Sequence, residues 1–487
     1  MNILADILYK VRIAQLIGPT DIELKSICID SRLSRPQSLF IAIKGTQSDG
    51  HMFIDKAIEQ GATAVICEVI PEVQQAHVTY IATNNSSEAS GYVASNFYGE
   101  PSANIKLIGI TGTNGKTTTA TLLFNLVRGL GAKCGLISTV VNKINDQDII
   151  STHTTPDPIS LNKLLAQMVD EGCEYCFMEV SSHAIHQNRI AGIRFEGAVF
   201  TNITHDHLDY HETFKAYINA KKGLFDGLSS DAFALVNADD KNHGVMVQNC
   251  KANVKTYALR TMADYTAKIL ENQFSGLHLR ISNMDLYSKL IGGFNAYNLL
   301  TTWAVARELG FEALETLTEL SAQESVVGRF QYLRSTTNIT AVIDYAHTPD
   351  ALKNVLSTIK DIRTGNETVI TVVGCGGNRD KEKRPIMAQI ASDYSDKVIL
   401  TSDNPRLENP ETILLDMAAG LDPIQLSKSL SLSNRREAIK LACTLAIAGD
   451  IILIAGKGHE TYQDIEGTKH PFDDTAVVGE TFKMLNK

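Results

Sequence analysis

Residues 105–118 read IKLIGITGTNGKTT, and this stretch decides the fold of the chain. Its first seven residues form an apolar run that predicts a buried strand, and the pattern after residue 116 predicts a long helix. Between them, glycines let the backbone curl so that successive N–H groups face a phosphate, and the helix directs its positive end to the same place. The order of strand, glycine-rich loop and helix predicts a nucleotide-binding α/β domain.

The loop supplies residue types that suit a nucleoside triphosphate. Lys116 is placed to contact the outer phosphates, and the Thr117 hydroxyl suits Mg²⁺. The match to the usual phosphate loop is incomplete, because the position five residues before Gly115 holds Ile110 and not glycine. The alternative is an ordinary strand-to-helix turn with a surface lysine, which accounts less well for the run GKTT. The loop therefore predicts an enzyme that uses ATP or GTP, and it leaves the reaction open.

Strand and helix patterns divide the chain into three blocks. Residues 1–103 alternate short apolar runs with helical patterns and end at the turn-prone YGEPS of residues 98–102. Residues 104–332 and 333–487 repeat the alternation that a mostly parallel sheet requires. The predicted strands of these two later blocks include residues 105–111, 176–180, 197–200, 232–236, 341–344, 368–373, 397–400 and 450–455. We expect a small N-terminal α/β domain, a central P-loop ATPase-like domain with a parallel sheet and a Rossmann-like C-terminal domain.

Composition excludes several classes of protein. The chain has 487 residues, of which 44% are hydrophobic, and its formal net charge is -10. The acidic balance argues against a nucleic-acid partner. No apolar run approaches the roughly 20 residues that span a bilayer, and the N-terminus carries no recognisable targeting segment, so we expect no membrane insertion. Eight scattered cysteines suit a reducing cytoplasm, and the pair Cys173 and Cys176 fits buried structural thiols better than a metal or redox site.

Acidic and histidine residues in the second block suggest a metal site. Glu179 ends a strand-like run, and the carboxyl ends of parallel strands face the ligand crevice, where a hard oxygen ligand for Mg²⁺ belongs. His207 lies in HDHLDYH, residues 205–211, with His211 one helical turn away. Taken alone, this cluster is equally compatible with a zinc site and with a polar loop of solvated histidines.

The phosphate-loop variant TGTNGKTT resembles that of the Mur ligase family, to which the folylpolyglutamate synthases are related. Further segments resemble the MurE type in the same order, and together they cover nearly the whole chain. These segments are DSR (30–32), LFIAIKGTQSDG (39–50), MEVSSH (178–183), FTNITHDHLDYH (200–211), GGFNAYN (292–298), DYAHTPDAL (344–352), GCGGNRDKEKRP (374–385), DNPR (403–406) and GKGHE (456–460).

The resemblance implies a reaction. An ATP-dependent amide ligase of peptidoglycan precursor synthesis would add meso-2,6-diaminopimelate to UDP-MurNAc-L-Ala-D-Glu through an acyl phosphate, with Mg²⁺ as cofactor. It also implies a cytoplasmic enzyme, which we expect to be a monomer. In such ligases a lysine at the position of Lys221 is carbamylated by CO₂, which converts a cation that repels Mg²⁺ into an anion. From the residues alone, Lys221 would be a surface helix lysine.

The resemblance also assigns site residues. The catalytic group would be Lys116, Glu179, His207 and Lys221, of which the last three would hold the metal with Thr117. The ATP site would consist of Gly112, Thr113, Asn114, Gly115, Lys116, Thr117, Thr118, Asn295, Asn298, Arg329 and His347. The site for the UDP-muramoyl dipeptide would consist of Ile29, Ser31, Thr46, Gln47, Ser48, His153, Thr154, Thr155, Ser181, Gln187 and Arg189. As an alternative role, Asn295 and Asn298 could cap the following helix.

Residues 403–406 address which amino acid is added. Diaminopimelate-adding relatives resemble this DNPR, whereas lysine-adding relatives lack the arginine. The chemistry agrees, because diaminopimelate has a second carboxylate and an arginine offers a planar bidentate clamp for it. The expected amino-acid site comprises Arg379, Asp403, Asn404, Pro405, Arg406, Gly456 and Glu460. The competing hypotheses are a lysine-adding or MurF-type ligase, a folylpolyglutamate synthase, and a nucleotide-binding module without catalysis.

Overall fold

The computed structural model describes residues 2–45, 48–204, 206 and 208–487. The backbone forms two compact units, the first from Met1–Ile203 with Thr213–Tyr257, and the second from Thr204–Glu212 with Ala258–Lys487. Throughout these residues, strands and helices alternate, which confirms the predicted α/β class. None of the helices within the described ranges is long and apolar enough to cross a membrane.

The elements are numbered in chain order. The strands are β1 (Ile13–Ile17), β2 (Ser26–Cys28), β3 (Ser38–Ile41), β4 (Ala62–Cys67), β5 (Thr79–Thr83), β6 (Lys106–Thr111), β7 (Cys134–Ile137), β8 (Asn142–Ile144), β9 (Gln147–Ile149), β10 (Tyr175–Glu179), β11 (Gly197–Phe200), β12 (Phe233–Asn237), β13 (Asn253–Ala258), β14 (Tyr265–Gln273), β15 (Gly276–Ile281), β16 (Met284–Ser288), β17 (Gln331–Arg334), β18 (Thr340–Asp344), β19 (Val369–Cys375), β20 (Lys397–Ser402), β21 (Ser429–Ser431), β22 (Ile451–Ala455), β23 (Tyr462–Ile465) and β24 (Thr468–Pro471).

The helices follow the same numbering. They are α1 (Leu4–Ile7), α2 (Ile54–Glu59), α3 (Ser86–Phe97), α4 (Lys116–Gly129), α5 (Pro158–Asp170), α6 (Ser182–His186), α7 (Leu208–His211), α8 (Phe214–Asp226), α9 (His243–Met246), α10 (Gly293–Glu308), α11 (Ala313–Ala322), α12 (Pro349–Ile362), α13 (Lys383–Tyr394), α14 (Pro410–Ala418), α15 (Pro423–Ser427), α16 (Arg435–Leu445) and α17 (Asp474–Met484). Short 3₁₀ turns occur at Ser31–Leu33, Gly50–Phe53 and Pro101–Ala103.

The first sheet of the first unit has the strand order β1-β5-β4-β3-β2, and only β1 runs antiparallel to its neighbour. Its apolar side chains form two buried clusters, as the alternating pattern predicts. The predicted turn at residues 98–102 is present, because Gly99 and Glu100 both adopt positive φ, of 76° and 52°.

The second sheet of this unit carries the phosphate loop. Its strands follow the order β13-β12-β11-β6-β10-β7-β8-β9, and the run from β13 to β7 is parallel. Strands β10 and β11 are buried along their whole length, as continuous apolar runs with helices on both faces require. Because β6 lies between β10 and β11, the carboxyl ends of three strands meet beside the loop at residues 112–115.

The second unit contains another mostly parallel sheet, of order β17-β18-β22-β19-β20-β21, in which only β17 is antiparallel. Buried apolar clusters cover both faces of this sheet. The carboxyl ends of β18, β22, β19 and β20 lie side by side at one edge. The unit also contains an antiparallel meander, β14-β15-β16, on which α10 and α11 pack.

Two helices, α5 and α12, begin next to expected site residues. The Asp157 carboxylate accepts hydrogen bonds from the backbone N–H groups of Ile159 and Ser160, and Pro158 occupies the first turn. The Thr348 hydroxyl likewise accepts from Ala351 N–H ahead of Pro349. Capping side chains followed by proline fix a helix start, because they satisfy free N–H groups and preset φ. Thr154, Thr155 and His347 are thereby held at helix entrances.

Candidate functional site

The phosphate loop joins β6 to α4 and requires its glycines. Gly112 has a φ of 154°, and a Cβ atom there would lie 1.9 Å from Oγ1 of Thr201. Gly115 adopts a left-handed φ of 88° immediately before the helix begins at Lys116. Only glycine combines this backbone with such a close approach. The sequence prediction of a strand, a loop and a helix is confirmed here.

Side chains from the end of β11 hold the loop in place. Thr201 donates from Oγ1 to the carbonyl of Asn114 at 2.7 Å. The Asn202 amide pairs with the Asn114 backbone in both directions, accepting from N–H at 3.0 Å and donating to the carbonyl at 3.1 Å. Lys116 folds over the loop, and its Nζ donates to the carbonyls of Gly112 and Thr113 at 2.8 Å each.

Glu179 is a fully buried carboxylate at the end of β10. Its Oε2 accepts from the Thr117 hydroxyl at 3.0 Å, and its two oxygens accept from the backbone and hydroxyl of Thr139 at 2.7 and 3.2 Å. Adjacent ligands on an octahedral Mg²⁺ with bonds of 2.0–2.1 Å lie about 2.9 Å apart. The Thr117 and Glu179 oxygens therefore have the chemistry and the spacing that suit this ion.

A hydrogen-bonded chain continues from Glu179 towards Arg189. Thr139 Oγ1 and Thr154 Oγ1 are hydrogen-bonded at 3.0 Å, and Thr155 Oγ1 donates to the Glu179 carbonyl at 2.9 Å. Ser181 N–H donates to Thr155 Oγ1 at 3.1 Å. Arg189 donates from Nη1 to the Thr155 carbonyl at 2.8 Å, and from Nε and Nη2 to Gln187 Oε1 at 3.0 and 2.7 Å. Five of the expected dipeptide residues thus form one network.

Lys221 is buried and does not lie on the helix surface. Its Nζ donates to the Gly112 carbonyl at 2.8 Å and sits 4.7 Å from the centre of the Tyr217 ring. The neighbouring Lys222 instead pairs with Asp226, at 2.6 Å from Nζ to Oδ2. The assignment from residue type alone, a surface lysine, is therefore wrong, and the two adjacent lysines have separate partners.

Other expected residues lie apart from this network or outside the described ranges. His153 is exposed and contacts Thr152. Ile29 is half-buried, Ser31 is buried in a 3₁₀ turn and Ser48 is exposed, and no hydrogen bond among the described residues joins Ser31 to Ser48. Thr46, Gln47 and His207 lie outside the described residues.

In the second unit, the two residues expected on the adenine side of ATP lie on one helix, α10. Asn295 and Asn298 are buried in the first turns of α10, where Asn295 donates to the Ile291 carbonyl at 2.8 Å and accepts from Asn298 Nδ2 at 2.9 Å. The helix-cap alternative is wrong, because the N-cap position is Gly292 and no side chain caps this helix. Arg329 lies 4.7 Å from the centre of the Tyr345 ring.

Burial and neighbouring charges shift the pKa values of three groups at and just after the end of β18. Burial lowers the pKa of His347, and the Lys383 ammonium, which donates to the His347 carbonyl at 2.9 Å, lowers it further. Burial raises the pKa of Asp344, although Arg329 and two backbone N–H donors oppose this shift. Burial together with nearby carboxylates raises the pKa of Tyr345 to about 12.

The expected amino-acid site occupies the ends of β19, β20 and β22. A methyl group placed on Gly376 would lie 2.9 Å from Nη1 of Arg406 and 3.8 Å from Cγ of Arg379, so both arginines adjoin this backbone. Arg406 donates from Nη1 to the Gly377 carbonyl at 2.8 Å. Its backbone has a φ of 52° and hydrogen-bonds to Asp464 and Glu466. These two backbone hydrogen bonds hold Arg406 at its positive φ, a conformation that non-glycine residues often adopt at functional sites.

The remaining amino-acid-site residues form a polar cluster beside these arginines. Asn404 Nδ2 donates to Glu460 Oε2 at 2.8 Å, and Gln463 donates to the Asp403 carbonyl at 2.7 Å. A Cβ atom on Gly456 would lie 2.9 Å from Asp403 Oδ2, so this glycine leaves room for that carboxylate. Pro405, which joins Asn404 to Arg406 in the chain, is buried.

Comparison with known proteins supports the same family along the whole chain. Three family models match, namely "Mur ligase family, catalytic domain" at residues 23–98, "Mur ligase middle domain" at 110–306 and "Mur ligase, glutamate ligase domain" at 328–458. A protein of Cytophaga hutchinsonii named UDP-N-acetylmuramoyl-L-alanyl-D-glutamate--2,6-diaminopimelate ligase is 55% identical over 483 residues, which is 99% of each chain.

The chain belongs to the Mur ligase family.

A protein of the same name from Phocaeicola vulgatus is 53% identical over 98% of this chain and 99% of its own. A solved structure of a UDP-N-acetylmuramoyl-L-alanyl-D-glutamate--2,6-diaminopimelate ligase matches with a TM-score of 0.71 and 32% identity over 100% of both chains. The three-domain α/β fold of a Mur ligase, with parallel sheets, is therefore confirmed.

Three residues of this Mur ligase site were absent from the sequence prediction. Thr139 follows β7 without any motif, and Asn202 and Lys457 lie inside quoted motifs but were assigned no role. Lys457 is fully buried between Asn404 and Glu460. The position of two polar residues, Ser138 and Thr139, directly after a buried strand was the only available signal for Thr139.

The CxxC pair lies in the core of the first unit. Cys173 and Cys176 are both buried, and burial raises the pKa of each thiol. Across the described part of the chain, no three His, Cys, Asp or Glu side chains lie close enough to share a metal ion. The interpretation of CxxC as buried structural thiols is supported, whereas the zinc alternative at residues 205–211 involves residues outside the described ranges.

Proposed function

We propose that this Mur ligase joins meso-2,6-diaminopimelate to UDP-MurNAc-L-Ala-D-Glu with hydrolysis of ATP to ADP and phosphate. The relatives from Cytophaga hutchinsonii and Phocaeicola vulgatus carry a name that specifies this addition without the stereochemistry. The observation that carries the proposal is the placement of Arg406 and Arg379 around Gly376. The Arg406 guanidinium at this edge, with a second arginine beside it, suits an amino acid with a second carboxylate, which lysine lacks.

In the proposed first step, the side-chain carboxylate of D-glutamate attacks the γ-phosphorus of ATP and ADP leaves. The product is an acyl phosphate. The Lys116 ammonium and the N–H groups at the start of α4 stabilise the negative charge that develops on the phosphate oxygens. A bound Mg²⁺ would neutralise part of the phosphate charge, and Thr117, Glu179, His207 and the carbamate of Lys221 would hold it.

In the proposed second step, an amino group of diaminopimelate attacks the acyl carbon, an amide bond forms, and phosphate leaves with the bonding electrons. The nitrogen loses a proton to become the neutral amide. Arg379 and Arg406 orient the distal carboxylate, while Asp403, Asn404, Pro405, Gly456 and Glu460 surround the distal ammonium group. Holding both reactants in place supplies much of the rate, because the reaction becomes effectively unimolecular.

Carbamylation of Lys221 belongs to this proposal. The neutral amine adds to CO₂, a nitrogen–carbon bond forms, and one proton is released to give the carbamate anion. This addition requires the amine in its neutral form. The position of Nζ beside the Gly112 carbonyl supports the idea, because the lysine lies against the phosphate loop.

The remaining assignments are part of the same proposal. Residues 1–103 would bind the uridine nucleotide, residues 104–332 would bind ATP, and residues 333–487 would bind the amino acid, in a monomeric cytoplasmic enzyme. The UDP-muramoyl dipeptide would contact Ile29, Ser31, Thr46, Gln47, Ser48, His153, Thr154, Thr155, Ser181, Gln187 and Arg189. The nucleotide would contact the loop at residues 112–118 together with Asn295, Asn298, Arg329 and His347.

The test is a phosphate-release assay on purified protein with ATP, Mg²⁺ and UDP-MurNAc-L-Ala-D-Glu. Diaminopimelate, lysine, D-Ala-D-Ala and glutamate are compared as acceptors, and the Lys116→Ala protein is the blank. We expect release only with diaminopimelate. A preference for lysine or for D-Ala-D-Ala would instead support a lysine-adding ligase or a MurF-type ligase, and release with glutamate when a folate replaces the UDP-muramoyl dipeptide would support a folylpolyglutamate synthase. No release with any acceptor would favour a binding module without catalysis.

A further inference from the structure

Lys457 is a lysine in an unusual environment. It lies two residues after the end of β22, and its relative exposure is 0%. An ammonium group loses its hydration on burial, so it persists only where charged or polar partners replace the water. None of the steps proposed above uses this side chain.

Its partners are the residues expected to receive the amino acid. Nζ of Lys457 donates to Glu460 Oε2 at 2.9 Å and to Asn404 Oδ1 at 3.0 Å. Asp403 Oδ1 lies 3.8 Å away. One cation thus contacts two carboxylates and one amide, which come from the segments after β20 and β22, two strands separated in the sheet by β19.

These contacts fix the orientation of the Asn404 amide. Oδ1 accepts both from Lys457 and from the backbone N–H of Asp464 at 2.9 Å, so the oxygen must occupy that side. Nδ2 is therefore turned towards Glu460, to which it donates at 2.8 Å. Glu460 Oε2 then has two donors, which hold the carboxylate in one direction.

The charges of the cluster also suit a cationic ligand. Asp403 and Glu460 carry two negative charges, and Lys457 supplies one positive charge. The nearby Arg435 does not change this balance, because it is buried in a bidentate pair with Asp474, at 2.8 and 2.7 Å. Arg379 and Arg406 are assigned to the distal carboxylate, so the cluster itself keeps one surplus negative charge, which matches one ammonium group of the incoming amino acid.

We infer that Lys457 is a positioning residue for the incoming amino acid, which sets the directions of Asn404 and Glu460 and limits the net negative charge of Asp403, Glu460 and Lys457 together to one. This inference rests on the proposed function. It predicts that loss of the ammonium weakens binding of the amino acid and leaves the nucleotide sites unaffected. A lysine that serves only to stabilise the fold would instead alter stability without selecting one substrate.

The experiment measures kcat and KM for each of the three substrates in the full-length wild type, Lys457→Met, Lys457→Gln and Lys457→Arg. Removing one partner of a buried charge pair costs enough for roughly a 10- to 100-fold rise in KM. We expect this rise for diaminopimelate in the methionine and glutamine variants and a smaller one for the arginine variant. The KM values for ATP and for UDP-MurNAc-L-Ala-D-Glu should stay within about twofold, because those substrates do not contact the cluster.

A double-mutant cycle with Glu460→Gln tests whether Lys457 acts through Glu460. If it does, Lys457→Met should raise the KM for diaminopimelate by less than about threefold in the Glu460→Gln background, since interacting residues are not additive. The matched control is Lys440→Met, which removes a lysine from an exposed pair of the same i,i+3 spacing and the same 2.9 Å length, with Glu437. Its kinetics should equal those of the wild type.

Several results would overturn the inference. Equal changes in all three KM values, an unchanged KM for diaminopimelate, or additive effects in the cycle would each assign Lys457 a structural role. Failure of both the methionine and glutamine variants to fold, judged by the fluorescence of Trp303, would do the same. The proposed function fails separately if the wild type itself does not use diaminopimelate.

Discussion

Two of the mostly parallel sheets of this protein carry their proposed ligand sites at the same kind of edge, with different chemistry. In the first unit, the phosphate loop presents backbone N–H groups and hydroxyls, with the single buried carboxylate of Glu179 beside them. In the second unit, the edge of β19, β20 and β22 presents arginine, lysine and carboxylate side chains. Both sites lie at the carboxyl ends of strands, as open parallel sheets dictate.

The difference reflects what each site must distinguish. A triphosphate is the same in every reaction of this kind, so main-chain donors on a glycine loop suffice, and their geometry depends on little beyond Gly112 and Gly115. An amino acid must be told apart from close analogues. Charged side chains achieve this when their directions are fixed, because an unmatched buried charge is costly. Substitutions at the two edges should therefore have different effects. At the phosphate loop they should lower activity with every acceptor, and at the edge of β19, β20 and β22 they should change which amino acid is used.

The largest effect is expected at the phosphate loop. Lys116→Ala should lower amide formation by roughly 10³-fold or more with every acceptor, because it removes a preorganised cation from the phosphate charge. The fold should persist, since the side chain covers the loop and fills no core. Steady-state kinetics and thermal unfolding measure both outcomes, with the exposed Lys106→Ala as control. Near-normal turnover would contradict the phosphate-loop assignment.

Next in size is the effect of Lys221→Ala, which we expect to lower activity by roughly 100-fold or more if a buried anion is lost from the metal site. Added acetate should restore part of the activity by occupying the vacated space. Lys222→Ala is the matched control, because Lys222 is adjacent in sequence but pairs with Asp226. Full activity of the Lys221 variant, or density for a plain amine in an active enzyme, would disprove the role.

Much of the fold was predictable because its central strands are buried on both faces. Residues 176–180 and 197–200 were predicted as strands, and they correspond to β10 and β11. The meander β14-β15-β16 was not predicted, since β14 is largely exposed and its burial does not alternate regularly. A strand with few buried positions gives no periodic signal, and only its neighbours in the sheet define it.

The site was predictable where a motif carries its chemistry and not where the sheet assembles it. Gly112, Lys116 and Arg406 lie in motifs whose residue types suggest their ligands. Thr139 contacts Glu179 only because β7 is adjacent to β10, and strand order is not readable from one sequence. The amide direction of Asn404 likewise depends on Lys457 and Asp464, which are 53 and 60 positions away.

A selective effect is expected at the other edge. Arg406→Ala removes a charge-assisted pair to the distal carboxylate, which typically contributes about 1.5–3 kcal/mol. Catalytic efficiency with diaminopimelate should fall roughly 10- to 200-fold, while efficiency with lysine should change far less. The ratio of the two efficiencies is the measurement, since it cancels general damage. Equal losses with both amino acids would show that Arg406 does not recognise the second carboxylate.

The smallest effect concerns the pH dependence of stability at this same edge. Burial, with help from the Arg329 and Lys457 cations, lowers the pKa of His459 from 6.5 to about 4. The unfolded chain therefore binds more protons than the native protein between these values, so stability should be full above pH 6.5 and fall as the pH drops towards 4. After allowance for partial exposure, His459 should account for roughly 1–2 kcal/mol of this loss.

His459→Gln should remove that share, because glutamine does not titrate. Urea unfolding at pH 7 and pH 4.5 measures it through the fluorescence of Trp303, which is the only tryptophan of the chain and is buried in α10 of the second unit. The pKa of His347 is also lowered, so the variant should keep part of the pH dependence. The exposed His470→Gln is the control and should leave the difference between the two pH values unchanged. If His459→Gln also leaves the difference in stability between pH 7 and pH 4.5 unchanged, then His459 is not a neutral group whose burial makes the folded state sensitive to acid. The contrast between the phosphate loop and the edge of β19, β20 and β22 would then depend on Lys457 and the arginines alone.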